Sequence, residues 1–121
     1  MKPYEILSVA ANAVNDKKAR DLAAFEVGDL TILSDYILIA TANSSTHVRA
    51  LADEVEDKLT KCGIEPHHVE GRATGWILLD YNEVIIHIFD KISREFYGLD
   101  RVWCDGKPIN LDEILTSSQE V

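Results

Sequence analysis

The stretch that decides the fold reads WILLDYNEVIIHIF, from Trp76 to Phe89. Its first part alternates. Trp76, Leu78 and Asp80 fall on one side of an extended chain, Ile77 and Leu79 on the other. Tyr81-Asn82 breaks the pattern and reads as a turn. From Glu83 to Phe89 the chain is apolar on both faces, with Val84, Ile86 and Ile88 on one and Ile85, His87 and Phe89 on the other. The two segments predict a hairpin. The second of them belongs in the middle of a sheet covered on both sides.

Working outward, Ser44 and its neighbours Asn43 and Ser45 are good N-caps, because their side chains accept from free helix N–H groups. Val48, Leu51, Val55, Leu59 and Cys62 then recur at steps of three and four on one helical face. Glu54 with Lys58 and Asp57 with Lys61 stand one turn apart on the outer face, and Gly63 ends the helix as a left-handed cap. Pro3 suits a first helical turn, and Ile6, Leu7, Ala10, Ala13 and Val14 carry that earlier helix to about Asp16. Leu22–Val27, Asp35–Thr41 and Pro66–Glu70 read as strands, Gly28-Asp29 as a turn and Gly71–Gly75 as a loop. Ser93 is placed to cap a short helix over Arg94–Tyr97. The expectation is a single α/β domain over residues 1–105, with a mixed sheet of about five strands and flanking helices. Residues 106–121 read as a tail in which Leu111, Ile114 and Leu115 dock weakly and the last residues are disordered.

A chain of 121 residues, 46% of them hydrophobic, can bury one core. Its apolar runs are too short to span a bilayer, and its first residues show no secretory signal pattern. Cys62 and Cys104 have no metal-type spacing and read as reduced thiols of a cytoplasmic protein. The net charge is −9, of which residues 63–121 supply −6. Lys17, Lys18 and Arg20 form the one basic cluster visible along the chain, so direct specific nucleic-acid binding is not expected. An acidic surface suits a basic protein partner. It also serves simple solubility.

The chemistry-bearing residues give little support to an enzyme. His67 and His68 are adjacent and point to opposite faces of a strand. His47 near Ser44 lacks an oxyanion-hole motif. His87 sits in an apolar strand and reads as a buried, hydrogen-bonded structural histidine. Asp29 and Asp35 are too far apart, and Asp80 and Glu83 straddle a turn, so neither pair offers two acids to one Mg²⁺. No catalytic residue, metal site or cofactor is assigned. The outward face of the hairpin is more telling, since an indole, an aliphatic chain and a carboxylate stand together there with Tyr81 at the tip. Exposed Trp and Tyr beside an acid are what a protein-binding hot spot uses. The residues alone leave Trp76 open between that role and core packing. For Phe96, Tyr97 and Trp103, core packing is the expectation.

At this hairpin the chain resembles the ribosomal silencing factor (Iojap-like) family. The resemblance runs through Ser34-Asp35-Tyr36 into Ile37–Thr41, Ser44 and the helix carrying Val48, Ala50, Ala52, Asp53 and Val55. It continues through Pro66, Glu70-Gly71, Gly75, Trp76–Tyr81 and His87-Ile88-Phe89 to Arg94-Glu95-Phe96-Tyr97, Leu99 and Trp103. Ala42, Glu83 and Asp100 stand where the family more often has Gly, Asp and Glu. The resemblance implies a nucleotidyltransferase-like fold without the catalytic acids. It also implies a translational repressor that binds the large ribosomal subunit through a ribosomal protein on its subunit-joining face. A domain bound there keeps the small subunit away by steric exclusion, and a role in late ribosome assembly is associated with the family. On this reading Trp76, Leu78, Asp80 and Tyr81 make the partner contact. A homodimer of the free protein remains open, and a small nucleotidyltransferase-like enzyme is the alternative.

Overall fold

The computed structural model describes residues 1–71 and 75–115. Helix α1 (Pro3–Asp16) leads through strand β1 (Arg20–Glu26) and β2 (Tyr36–Ala42) to the long helix α2 (Ser45–Lys61). Then come β3 (His68–Glu70), β4 (Trp76–Asp80) and β5 (Val84–Asp90), the short helices α3 (Lys91–Tyr97) and α4 (Leu99–Val102), and β6 (Lys107–Pro108). One mixed sheet holds all the strands in the order β3-β4-β5-β2-β1-β6. The β2–β5 pair is parallel and the others are antiparallel. The hairpin places β5 in the interior of the sheet, as its two apolar faces require.

Local chemistry explains the main boundaries. Ser44 accepts from the backbone N–H of His47 at 3.1 Å and so starts α2. At its other end the N–H of Gly63 donates to Thr60 and that of Ile64 to Leu59, with Gly63 at φ +82°. That is a Schellman cap, and it needs a residue that tolerates the left-handed region. Cys62 lies at this cap and is exposed, so it does not extend the buried stripe of Val48, Leu51, Val55 and Leu59. Helix α3 starts earlier than the sequence predicts. Asp90, not Ser93, is its cap, and the Asp90 carboxylate accepts from the Ser93 N–H at 2.8 Å.

The two faces of the sheet are covered unequally. Helices α1 and α2 lie on one face, where Leu7, Val14, Leu51, Val55, Leu59, Leu38, Ile77, Leu79, Ile86 and Ile88 are fully buried. On the other face Val27, Ile37, Ile39 and Phe89 form a smaller cluster, partly roofed by Trp76, Leu99 and Trp103. The stretch after Trp103 is more than a weakly docked tail. Strand β6 pairs with β1, making six strands rather than about five. Ile114 is buried in the larger core, and its carbonyl accepts from the Asn12 side chain at 3.0 Å. The expected disorder at the chain end falls on residues 116–121, which lie outside the described residues.

Candidate functional site

The outward side chains of β4 stand in register with those of β5. Trp76 pairs with Phe89, Leu78 with His87, and Asp80 with Ile85. Strand alternation therefore puts the indole, the leucine and the carboxylate on the sheet face that lacks α1 and α2. Ile77 and Leu79 point the other way and are fully buried.

Trp76 lies in an aromatic stack. Its ring centroid is 5.1 Å from Phe89 and 4.5 Å from Tyr97, and its Nε1–H donates to His87 Nδ1 at 3.1 Å. That bond requires Nδ1 to be unprotonated. Burial lowers the His87 pKa from 6.5 to about 4, which keeps the ring neutral near pH 7. His87 is the hydrogen-bonded structural histidine that its apolar strand predicts. The ring contacts and this bond hold the indole in one orientation.

Leu78 forms the ridge between two hollows. On one side Gly71, Gly75, Ser93 and Tyr97 line a hollow of about 290 Å³ with Trp76 and Glu70. On the other, Leu33, Ile37, Ile85, His87 and Trp103 line a groove of about 460 Å³ with Asp80 and His67 at its rim. Asp80 has a second task, since its Oδ1 accepts from the Asn82 N–H at 2.8 Å while Asn82 turns at φ +68°. Gly75 is required at its position, because a Cβ there would overlap the Asp90 carboxylate that caps α3.

Tyr81 departs from the expectation. Its side chain is only 3% exposed and sits in the larger core, on the helix side of the sheet. The reason is parity, since residue 81 continues the inward series Ile77, Leu79 beyond the end of the strand. Tyr81 supports the turn from beneath and offers no ring to a partner. The second aromatic group departs in the opposite sense. Phe96 is 78% and Tyr97 46% exposed, because two-turn α3 rests on the end of the sheet, where the Tyr97 ring meets Trp76 and Phe89. Trp103 is half-buried against the smaller cluster. Ile32 and Leu33 are also exposed, at 101% and 81%, and extend the apolar surface beside the groove. Sequence periodicity does not find these two, because they stand with Leu30 in a short loop between Gly28 and Ser34, too short to set a period.

The side chains of two of the other histidines have partners within the chain. His47 Nδ1 accepts from the Asn43 N–H at 2.8 Å, and Nε2 is 2.7 Å from the Lys17 carbonyl, so the ring ties the end of α1 to the start of α2. His68 pairs with Glu70 at 2.9 Å on the edge strand. Among the described residues no group of three His, Cys, Asp or Glu side chains could hold a metal ion, and no helix is long and apolar enough to cross a membrane.

Comparison with known proteins adds independent findings. The family described as "Ribosomal silencing factor during starvation" matches residues 1–121. A ribosomal silencing factor of Halalkalibacterium halodurans is 33% identical over 117 residues, spanning 96% of this chain and 100% of that protein. One from Bacillus subtilis is 35% identical over 113 residues, 93% of this chain and 96% of that protein. A mouse protein named "Mitochondrial assembly of ribosomal large subunit protein 1" is 26% identical over 101 residues, 80% of this chain and 44% of that protein. A crystal structure of a Chromobacterium violaceum protein superposes with a TM-score of 0.83 at 31% identity, covering 85% of this chain and 87% of that one. The fold, the motifs in register and the match along the whole chain agree: this protein belongs to the family of ribosomal silencing factors.

Proposed function

We propose that this domain is a non-enzymatic translational repressor. It binds the large ribosomal subunit through a basic ribosomal protein on the face that meets the small subunit, and its bulk prevents the two subunits from joining. The observation that carries this reading is the open outer face of β4. Trp76 and Leu78 stand there partly exposed beside two hollows, held by buried neighbours and flanked by Phe96, Tyr97 and Leu33. A rigid aromatic and aliphatic centre with a polar rim is the anatomy of a protein-binding hot spot.

Charge supports the kind of partner. Glu70 and Asp80 edge the two hollows, in a chain whose net charge is −9. Such a rim favours a basic surface and speeds encounter with it. The relatives' names support the setting, since those from Halalkalibacterium and Bacillus are named silencing factors and the mouse relative is named for large-subunit assembly. When no ribosome is present, a second copy of the chain can cover the same apolar face as a homodimer.

Gradient sedimentation tests the proposal. The protein should travel with free large subunits and be missing from joined ribosomes, and adding it to separated subunits should reduce joining. Equal recovery with joined ribosomes would refute steric silencing.

A further inference from the structure

The fold gathers a basic end that the sequence keeps in two distant pieces. Lys17 and Lys18 lie between α1 and β1 and Arg20 opens β1, while Lys91, Arg94 and Arg101 lie on α3 and α4. Antiparallel pairing sets Arg20 opposite Thr41, at the end of β2. Arg94 reaches the same place from α3, donating to Thr41 Oγ1 at 2.8 Å and to the Asp21 carbonyl. The His47 bond to the Lys17 carbonyl holds the remaining loop there. Half of the chain's 12 lysines and arginines therefore meet at one end of the sheet.

That end also holds Asp16, Asp21, Asp90, Glu95 and Asp100, so its net charge is +1 against −10 for the rest of the chain. Two of the five acids are already engaged. Asp90 caps α3, and Asp100 takes Arg94 in a two-pronged bond at 3.2 and 2.8 Å. Lys17, Lys18, Arg20, Lys91 and Arg101 are exposed and form no ion pair with a described residue. Lys91, Arg94 and Arg101 share the lining of a hollow of about 440 Å³ with Thr41, Gly98 and the acids Asp21, Glu95 and Asp100, so the exposed cations around it, not the hollow itself, carry the positive charge. Arg101 is held at its mouth, lying over Gly98 so closely that a Cβ there would press into the guanidinium.

We infer that this basic end binds the phosphate backbone of RNA, giving the domain a second contact beside the protein-binding face of β4. The inference rests on the ribosomal reading, in which a domain seated on a ribosomal protein has RNA beside it. Arginine forks and lysine ammonium groups suit phosphate oxygens, and such contacts position a protein without reading sequence. An otherwise acidic chain gains orientation from this polarity, because only the basic end is drawn to RNA.

The test is the salt dependence of binding to purified large subunits, comparing the full chain with a Lys91→Gln, Arg101→Gln double variant. Both side chains are exposed, so the variant should melt like the wild type. If each cation neutralises one phosphate, the wild type loses about tenfold more affinity than the variant between 50 and 200 mM salt. Leu78→Ala should weaken binding at both salt concentrations by the same factor. Equal salt dependence in the wild type and the double variant would overturn the inference while leaving the protein contact intact. If the chain does not bind large subunits at all, the function proposed above fails, and a 20-nucleotide RNA at 50 mM salt decides this inference alone. Binding that the double variant loses sustains it. No binding, or equal binding by both, overturns it, and an acidic protein then becomes the better occupant.

Discussion

The two faces of β4 and β5 are written by one alternating pattern and end in opposite circumstances. On the helix side Ile77, Leu79, Ile86 and Ile88 are fully buried under α1 and α2. On the other side Trp76, Leu78 and Ile85 stay partly exposed, while Phe89 and His87 beneath them are buried. Both faces are apolar, so hydrophobicity does not separate core from the proposed recognition surface. What separates them is whether the chain supplies a covering layer. Two long helices cover the first face, and two short ones cover only one end of the second.

The comparison can be broken most forcefully on the covered side. Leu79→Ala should cost about 3 kcal/mol of stability, since it removes a buried side chain and leaves a cavity. Urea unfolding should show the midpoint falling with an unchanged slope. A loss below 1 kcal/mol would mean that this face is less tightly packed than its burial implies.

Acid probes the layer beneath the open face. The His87 pKa is lowered in the folded chain to about 4, so between that value and 6.5 the unfolded chain binds more protons. Stability should therefore fall as the pH drops from 6.5 towards 4, by about 3 kcal/mol at most. His87→Gln should flatten this part of the pH profile of urea midpoints. Asp100 contributes in the same direction at lower pH. The Arg94 guanidinium holds its carboxyl below the usual value, and the stability this gives is lost as the pH falls through the folded pKa. An unchanged profile in His87→Gln would show that the histidine does not couple to folding.

The open side should respond the other way. Leu78→Ala should cost about 2 kcal/mol of binding to large subunits, the loss expected at a hot spot. Its effect on stability should stay below that of Leu79→Ala, because part of the side chain is already in water. Trp76→Ala is a less clean probe. It also removes the Phe89 and Tyr97 contacts and the bond to His87, so both stability and binding should fall. Smallest of all, Ile32→Ser should change stability by no more than about 0.5 kcal/mol, since its side chain is fully exposed. A measurable loss of binding in that variant would extend the contact to the loop before β2.

Much of this arrangement is legible in the sequence, and the exceptions have physical causes. The period of Val48 to Leu59 and the alternation of Trp76 to Asp80 name their elements, because each pattern repeats often enough to fix a buried face. His87 is legible as structural from its apolar neighbours. Tyr81 is harder to place, because a turn resets expectations about exposure while the backbone carries the strand parity one residue further. Phe96 and Tyr97 read as core because aromatic residues usually are, but a helix of two turns has little sheet beneath it. The basic end is hidden because its two halves are about 70 residues apart and meet only through the pairing of β1 with β2 and the reach of Arg94. The sixth strand is two residues long, too short to leave a period.

The central claim is that the open face of β4 is a recognition surface, not an unfinished core. Leu78→Ala tests it most directly, measured on one protein preparation for urea stability and for cosedimentation with large ribosomal subunits. The account predicts a stability loss smaller than that of Leu79→Ala, with binding reduced about thirtyfold, the factor that corresponds to about 2 kcal/mol. Undiminished cosedimentation, or a loss of binding explained entirely by unfolding, would contradict it.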